Sequence, residues 1–168
     1  MPKVLIIGYG NSLRSDDNVG CHVAQMLDRH YDGDPDVRVI GSHQLTPEMA
    51  EDIAASEFVL FLDAAAGEPA GKIKTAAVSA QPGPASFAHH LDPALLLAAA
   101  MELYGSAPPA RLLTIVGGTF EFGERLSPAV AQRLPEFFAE AHALVESNLH
   151  SGARRKRDIA SLQRAPLE

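Results

Sequence analysis

The sequence predicts a single α/β domain built on a mostly parallel, doubly wound sheet with helices on both faces. Three observations point there. Short apolar runs rich in β-branched residues alternate with longer helical patterns along the chain, the order that a parallel sheet with crossover helices produces. Three of those runs are almost unbroken, as in strands covered on both faces. No internal repeat and no domain boundary interrupts the pattern before about residue 150, and 168 residues are enough for one domain with a sizeable core.

The elements follow in order. KVLIIG (3–8) reads as the first strand and leads into GYGNSLRSDDNVG, from Gly8 to Gly20. A helix is expected over about 18–30, and VRVIGS (37–42) is the second strand. Thr46, Pro47 and Glu48 open a second helix at 47–55, with proline where a missing N–H costs nothing. FVLFLDA (58–64) and KIKTAAV (72–78) are the third and fourth strands, and the Ala/Pro/Gly-rich AQPGPAS (80–86) is a loop. Asp92 and Pro93 open a helix over 92–104, and LLTIVGG (112–118) is the last strand. Ser127 and Pro128 supply the N-cap and first-turn signals for a final helix at 128–147. There Val130, Leu134, Phe137, Phe138, Ala141 and Leu144 repeat at helical period. The domain is expected to span 1–150. Beyond it, SGARRKRDIASLQRAPLE (151–168) is basic and weakly patterned, and reads as a mobile, dispensable tail.

Composition narrows the partners. With 46% hydrophobic and 21% charged residues the chain has the balance of a soluble globular protein. A net charge of -7 repels nucleic acid and anionic membrane, and the only basic run, ARRKR, reads as a solvated tail. The single cysteine, Cys21, excludes an internal disulfide framework and suits a reducing compartment. The apolar run in MPKVLIIGYGN is too short for a secretory signal, and none is long enough to span a bilayer. A cytoplasmic monomer is expected.

Ligands of open parallel sheets bind beyond the carboxyl ends of the strands. Asp16 and Asp17 follow the first strand, His43 the second, and Asp63 ends the third, with His89 and His90 in the loop before the third helix. The glycine loop does not suit a phosphate. In G-Y-G-N-S-L the third glycine of a dinucleotide fingerprint is replaced by Leu13, no Gly-Lys-Ser/Thr follows, and two carboxylates would repel a pyrophosphate. Carboxylate and imidazole together suit a divalent transition metal instead. From spacing alone a plainer reading is equally good: Asp16 caps the first helix and Asp63 is an ordinary strand-end carboxylate.

GYGNSLRSDDNVG resembles the N-terminal signature of the nickel–iron hydrogenase maturation endopeptidases, G-x-G-N-x-L-x-x-D-(D/E)-G-x-G. Three further segments agree in order. HQLTPEMAEDI (43–53) is similar to members serving soluble, NAD-coupled hydrogenases. FLDAAAGEPAGKI (61–73) resembles the third strand with its terminal acid, and LLTIVGGTFEFGERLSPAV (112–130) the late strand, its Glu-bearing loop and the opening of the last helix. The likeness covers about residues 3–147. It implies a three-layer α/β/α fold and removal of a C-terminal extension from the hydrogenase large-subunit precursor after nickel delivery. It also implies that Asp17, Asp63 and His89 meet a nickel ion carried by that precursor, with Asp17 and Asp63 catalytic. Two positions depart from the pattern: Asn18 stands where glycine is usual, and the histidine motif is His89-His90, so a one-residue slip would exchange their roles.

Other residues weigh less. Cys21, near a helix start, has no base close in sequence and reads as a small core residue. No G-x-S-x-G elbow accompanies the serines, so water is the expected nucleophile for peptide cleavage. Asp16 is expected to cap the first helix. His43 and Glu121 either border the peptide groove or, for His43, simply hydrogen-bond at the surface. The rival readings are a nickel-checking assembly chaperone that does not cut, and a nucleotide-binding regulator.

Overall fold

The computed structural model describes residues 2–83 and 91–162. Among these residues five strands form the sheet: β1 (Val4–Tyr9), β2 (Val37–Ser42), β3 (Phe58–Ala65), β4 (Ile73–Val78) and β5 (Ala110–Val116). Their order is β2-β1-β3-β5-β4, parallel except for β4, which runs antiparallel to β5. The exception follows from chain length. Only residues 66–72 separate β3 from β4, and a parallel return needs a dozen residues or more to recross the sheet.

Among the described residues four α-helices complete the layers: α1 (Val19–His30), α2 (Met49–Ala54), α3 (Pro93–Tyr104) and α4 (Pro128–Leu162). Side chains alternate across a strand, so Val4 and Ile6 of β1 face α1 and α4, packing with Val23, Leu27, Val130 and Phe137. Leu5 and Ile7 face α2 and α3, against Ile53, Leu96 and Leu97. Each of these buried apolar side chains contributes roughly 1.5–3 kcal/mol. The expected α/β/α sandwich is therefore the observed one, and its central strands are buried on both faces.

The local signals act largely as expected. The Asp92 carboxylate accepts the Leu95 N–H at 2.8 Å to cap α3, which ends at Gly105 in the left-handed conformation (φ 74°). Helix α2 starts later than expected, at Met49, because Thr46 and Pro47 form the turn that precedes it. Helix α4 continues beyond the period seen in the sequence, through position 150 to Leu162. Ala, Arg and Leu in that stretch are strong helix formers, so it extends without an apolar stripe.

One packing detail sets up the site. A Cβ at Gly20 would lie 2.2 Å from the Leu62 carbonyl oxygen, and one at Gly8 would lie 2.2 Å from that of Gly20. The first turn of α1 thus rests backbone against backbone on β1 and β3, which only glycine permits.

Candidate active site

The strand order β2-β1-β3 sends α1 and α2 to opposite faces, so a crevice opens between the carboxyl ends of β1 and β3. Gly8 pairs with Leu62, which makes Tyr9 and Asp63 the next neighbours in register. β1 stops at Tyr9 while β3 continues to Ala65. Asp63 is therefore not the last residue of its strand, as expected, but stands where its neighbour ends.

Asp17 reaches the same edge by way of the glycine loop. After β1 the chain passes through a 3-10 turn at Ser15–Asn18 before α1 begins. Gly10 has φ 149°, and a Cβ there would lie 1.8 Å from the Asp17 carbonyl oxygen, so the turn can fold back over the strand end only at a glycine. The Asn11 N–H donates to the Asp17 carboxylate at 2.7 Å and holds it in place. Asn18 is right-handed (φ -79°), so its side chain is compatible with the turn without any left-handed conformation. Positive φ falls at Ser15 instead (51°).

Burial pushes the Asp63 carboxyl up to about 6, the Tyr9 hydroxyl beside it and the Ala64 N–H pull it down, and the charge of Asp17 pushes it up again. Asp17 and Asp63 are thus near enough to repel each other. Holding Asp63 ionised costs about 3 kcal/mol relative to water, a cost that a cation between the two carboxylates would offset. Burial, then Asp63, Asp92 and Asp17, push the Tyr9 phenol well above its ordinary range, so it remains a protonated donor. Asp92, at the start of α3, thus lies near enough to Tyr9 for its charge to act on the phenol. His89 and His90 themselves lie outside the described residues. Among the described residues no three His, Cys, Asp or Glu side chains form a group able to hold a metal. Two of the three sequence-predicted positions, Asp17 and Asp63, come together there.

Asp16 does not cap α1. Fully buried, its carboxylate accepts from the N–H groups of Gly118 (2.7 Å), Thr119 (3.1 Å) and Ser127 (2.7 Å) and from the Ser127 hydroxyl (2.7 Å). The 3-10 turn standing before α1 aims it away from that helix and onto the loop after β5. Burial pushes its carboxyl up, but the bonds from Ser127, Thr119 and Gly118 outweigh this and hold it below the ordinary value. Ser15 adds to the clamp: its N–H donates to the Gly123 carbonyl at 2.8 Å and its hydroxyl to that of Glu121 at 2.8 Å. The Glu121 side chain is exposed.

Cys21 is not a core residue. It is half-buried and lines a cavity of about 340 Å³ together with Gly10, Ser12, Asn18, Gly41 and His43. Its thiol donates to the Ser42 carbonyl at 2.9 Å. Burial raises its pKa, and the charges of Asp17 and Asp63 raise it further. A thiol so placed is a poor nucleophile. His43 is exposed at the cavity rim.

Sequence reasoning missed Tyr9. Its signal was parity: Leu5, Ile7 and Tyr9 share one face of β1, the face on which Asp63 also lies. What the described groups offer is two repelling carboxylates, one with a proton affinity near neutrality, beside a phenol donor. That set can bind a cation and can take up or release a proton.

No protein-family model and no curated protein matches the chain. Solved structures do. The hydrogenase maturating endopeptidase HybD from E. coli superposes with a TM-score of 0.68 at 23% identity, over 88% of this chain and 94% of that one. The NiFe hydrogenase maturation protease HycI from Thermococcus kodakarensis gives 0.67 at 24% identity, over 86% and 92%. The hydrogenase 2 maturation peptidase from a Thaumarchaeota archaeon gives 0.60 at 24%, over 88% and 98%. The chain is similar to these proteins in fold along nearly its whole length.

Proposed function

We propose that this chain is an endopeptidase that removes the C-terminal extension from the large-subunit precursor of a nickel–iron hydrogenase after nickel insertion. One observation carries the reading: Asp17 and Asp63 meet at the switch-point crevice of a fold that proteins named as maturation proteases share. The nickel belongs to the substrate. Asp17 and Asp63 supply two oxygen ligands and His89 a nitrogen, with the precursor's own ligands completing the coordination. Three protein ligands leave positions open, as a site that reads a passing metal requires.

Cleavage then proceeds by attack of water. The Asp63 carboxylate takes the proton from the water and returns it to the leaving amine. Asp17 holds the metal-bearing end of the substrate, and Tyr9 donates toward Asp63. Cys21 takes no part, since its proton is held on the Ser42 carbonyl. The HQLTPEMAEDI segment favours a precursor of the soluble, NAD-coupled class. The protein acts as a cytoplasmic monomer, in contact with neither nucleic acid nor membrane.

The test uses the purified full chain with nickel-loaded and nickel-free precursor, and mass spectrometry of the precursor's C-terminus. Shortening of the nickel-loaded form alone is expected. Equal shortening of both forms would overturn nickel recognition. Binding of the nickel-loaded form without shortening would make the protein a checking chaperone.

A further inference from the structure

The two edges of the sheet are built differently. β4 carries Lys74, with Lys72 just before it, the kind of charge that keeps an edge from pairing with another chain. β2 has the apolar Val37, Val39 and Ile40, and its one cation, Arg38, is drawn into an ion pair with Asp52 near the end of α2. The Ser42 carbonyl accepts from the Gly10 N–H and so points toward β1. Backbone groups alternate along a strand, which turns those of Val39 and Gly41 outward. No described residue outside the strand bonds to them. The cavity of about 340 Å³ begins at this edge, at Gly41 and His43, and is bounded on its other side by Gly10, Ser12 and Asn18 of the loop that carries Asp17.

We infer that the β2 edge and this cavity bind an extended polypeptide segment of the substrate, which adds to the sheet as a sixth strand and passes along the cavity toward Asp17 and Asp63. The inference rests on the endopeptidase reading above and says how such an enzyme holds its chain. Outward N–H and C=O groups in regular alternation are met most fully by another backbone in the extended form. Such pairing is blind to side chains, and the cavity supplies the place where side chains are read. An added strand lies two inter-strand spacings from β1, roughly 10 Å. At roughly 3.4 Å per extended residue, about three residues separate the last paired residue from the bond to be cut.

Gly41 gives a clean probe, because a Cβ built there meets no atom within 4 Å. Gly41→Leu fills the cavity without displacing the fold, and Gly41→Pro removes an outward N–H that the fold does not use. KM and kcat for precursor cleavage are measured for both variants and the wild type. Amide hydrogen exchange at Val39 and Gly41 of the wild-type chain is measured with and without saturating precursor. The expected result is a KM raised at least tenfold in both variants with unchanged thermal melting, and exchange slowed at least tenfold at both amides but not at the outer amides of β4. Normal KM values with unslowed exchange would overturn the inference while leaving the endopeptidase standing. A precursor that the wild type neither binds nor cuts would remove both. If a variant melts early, the exchange measurement on the wild type decides alone.

Discussion

Replacing Asp16 by alanine tests whether the first of the paired acids is structural. The change removes the acceptor of three backbone N–H groups and one hydroxyl. The hydroxyl can rotate to a new partner, but the three N–H groups cannot. At about 1–3 kcal/mol for each donor left without an acceptor, the sum is roughly 3–9 kcal/mol. Gly118 is exposed and regains water, so a loss of about 4 kcal/mol is expected. Asp16→Asn should cost about half as much: with its oxygen at the Oδ2 position it still accepts from Gly118, Thr119 and the Ser127 hydroxyl, while its NH₂ opposes the Ser127 N–H. The assay is urea unfolding at pH 7, with amide exchange at Gly118, Thr119 and Ser127. The pH dependence follows from the sign of the shift. The folded Asp16 carboxyl lies below its ordinary value of 3.8, so its stabilisation is complete well above that pH and fades as the pH falls through the lower folded value. The gap between wild type and Asp16→Ala should be flat near neutrality and narrow below 3.8. A loss under about 1 kcal/mol, or a gap that widens in acid, would refute the reasoning.

The other expectations concern the second acid and its neighbours. Asp17→Ala and Asp63→Ala should each reduce precursor cleavage by about 10²–10⁴-fold while leaving the melting temperature near wild type, with Asp17→Glu retaining more activity than Asp17→Ala. His89→Ala should abolish processing and His90→Ala reduce it modestly, as read by precursor shortening; the reverse pattern would show that the two roles are exchanged. Calorimetric titration of the free protein with nickel should show weak binding, since closed structural sites use four protein ligands, and tight binding would overturn the substrate-borne metal. Cys21→Ala should leave cleavage intact, and iodoacetamide should modify the wild-type thiol slowly at pH 7.

The strands were legible because each is a short run rich in apolar and β-branched residues, and the three that are nearly continuous have few alternatives to a doubly covered sheet. The helix starts were legible where a side chain caps its own helix, as Asp92 does through Leu95. Asp16 was misread for the opposite reason. Its partners lie 102 to 111 positions away, and local capping rules cannot register a partner at that distance. Cys21 was read as core because small thiols usually are, and the cavity that exposes it is created jointly by β2 and the glycine loop. Tyr9 depended on strand register, which sets the residue opposite Asp63 and cannot be read from either segment alone. The direction of β4 was implicit in its short connection.

The clamp between Asp16 and the Gly118–Ser127 loop also has a temporal side. As the chain leaves the ribosome, β1 to β3 can gather α1 and α2 while the acidic loop still has no acceptor partners. Its donors arrive only after β5 and the opening residue of α4 have been made, and closing so long a separation is slow compared with local helix formation. The acid pair thus takes its shape only after β5 and the start of α4 are in place. A nascent or refolding chain would acquire the strands β1 to β3 and their helices before the carboxylates of the glycine loop are held in place, a built-in delay before the candidate site is assembled.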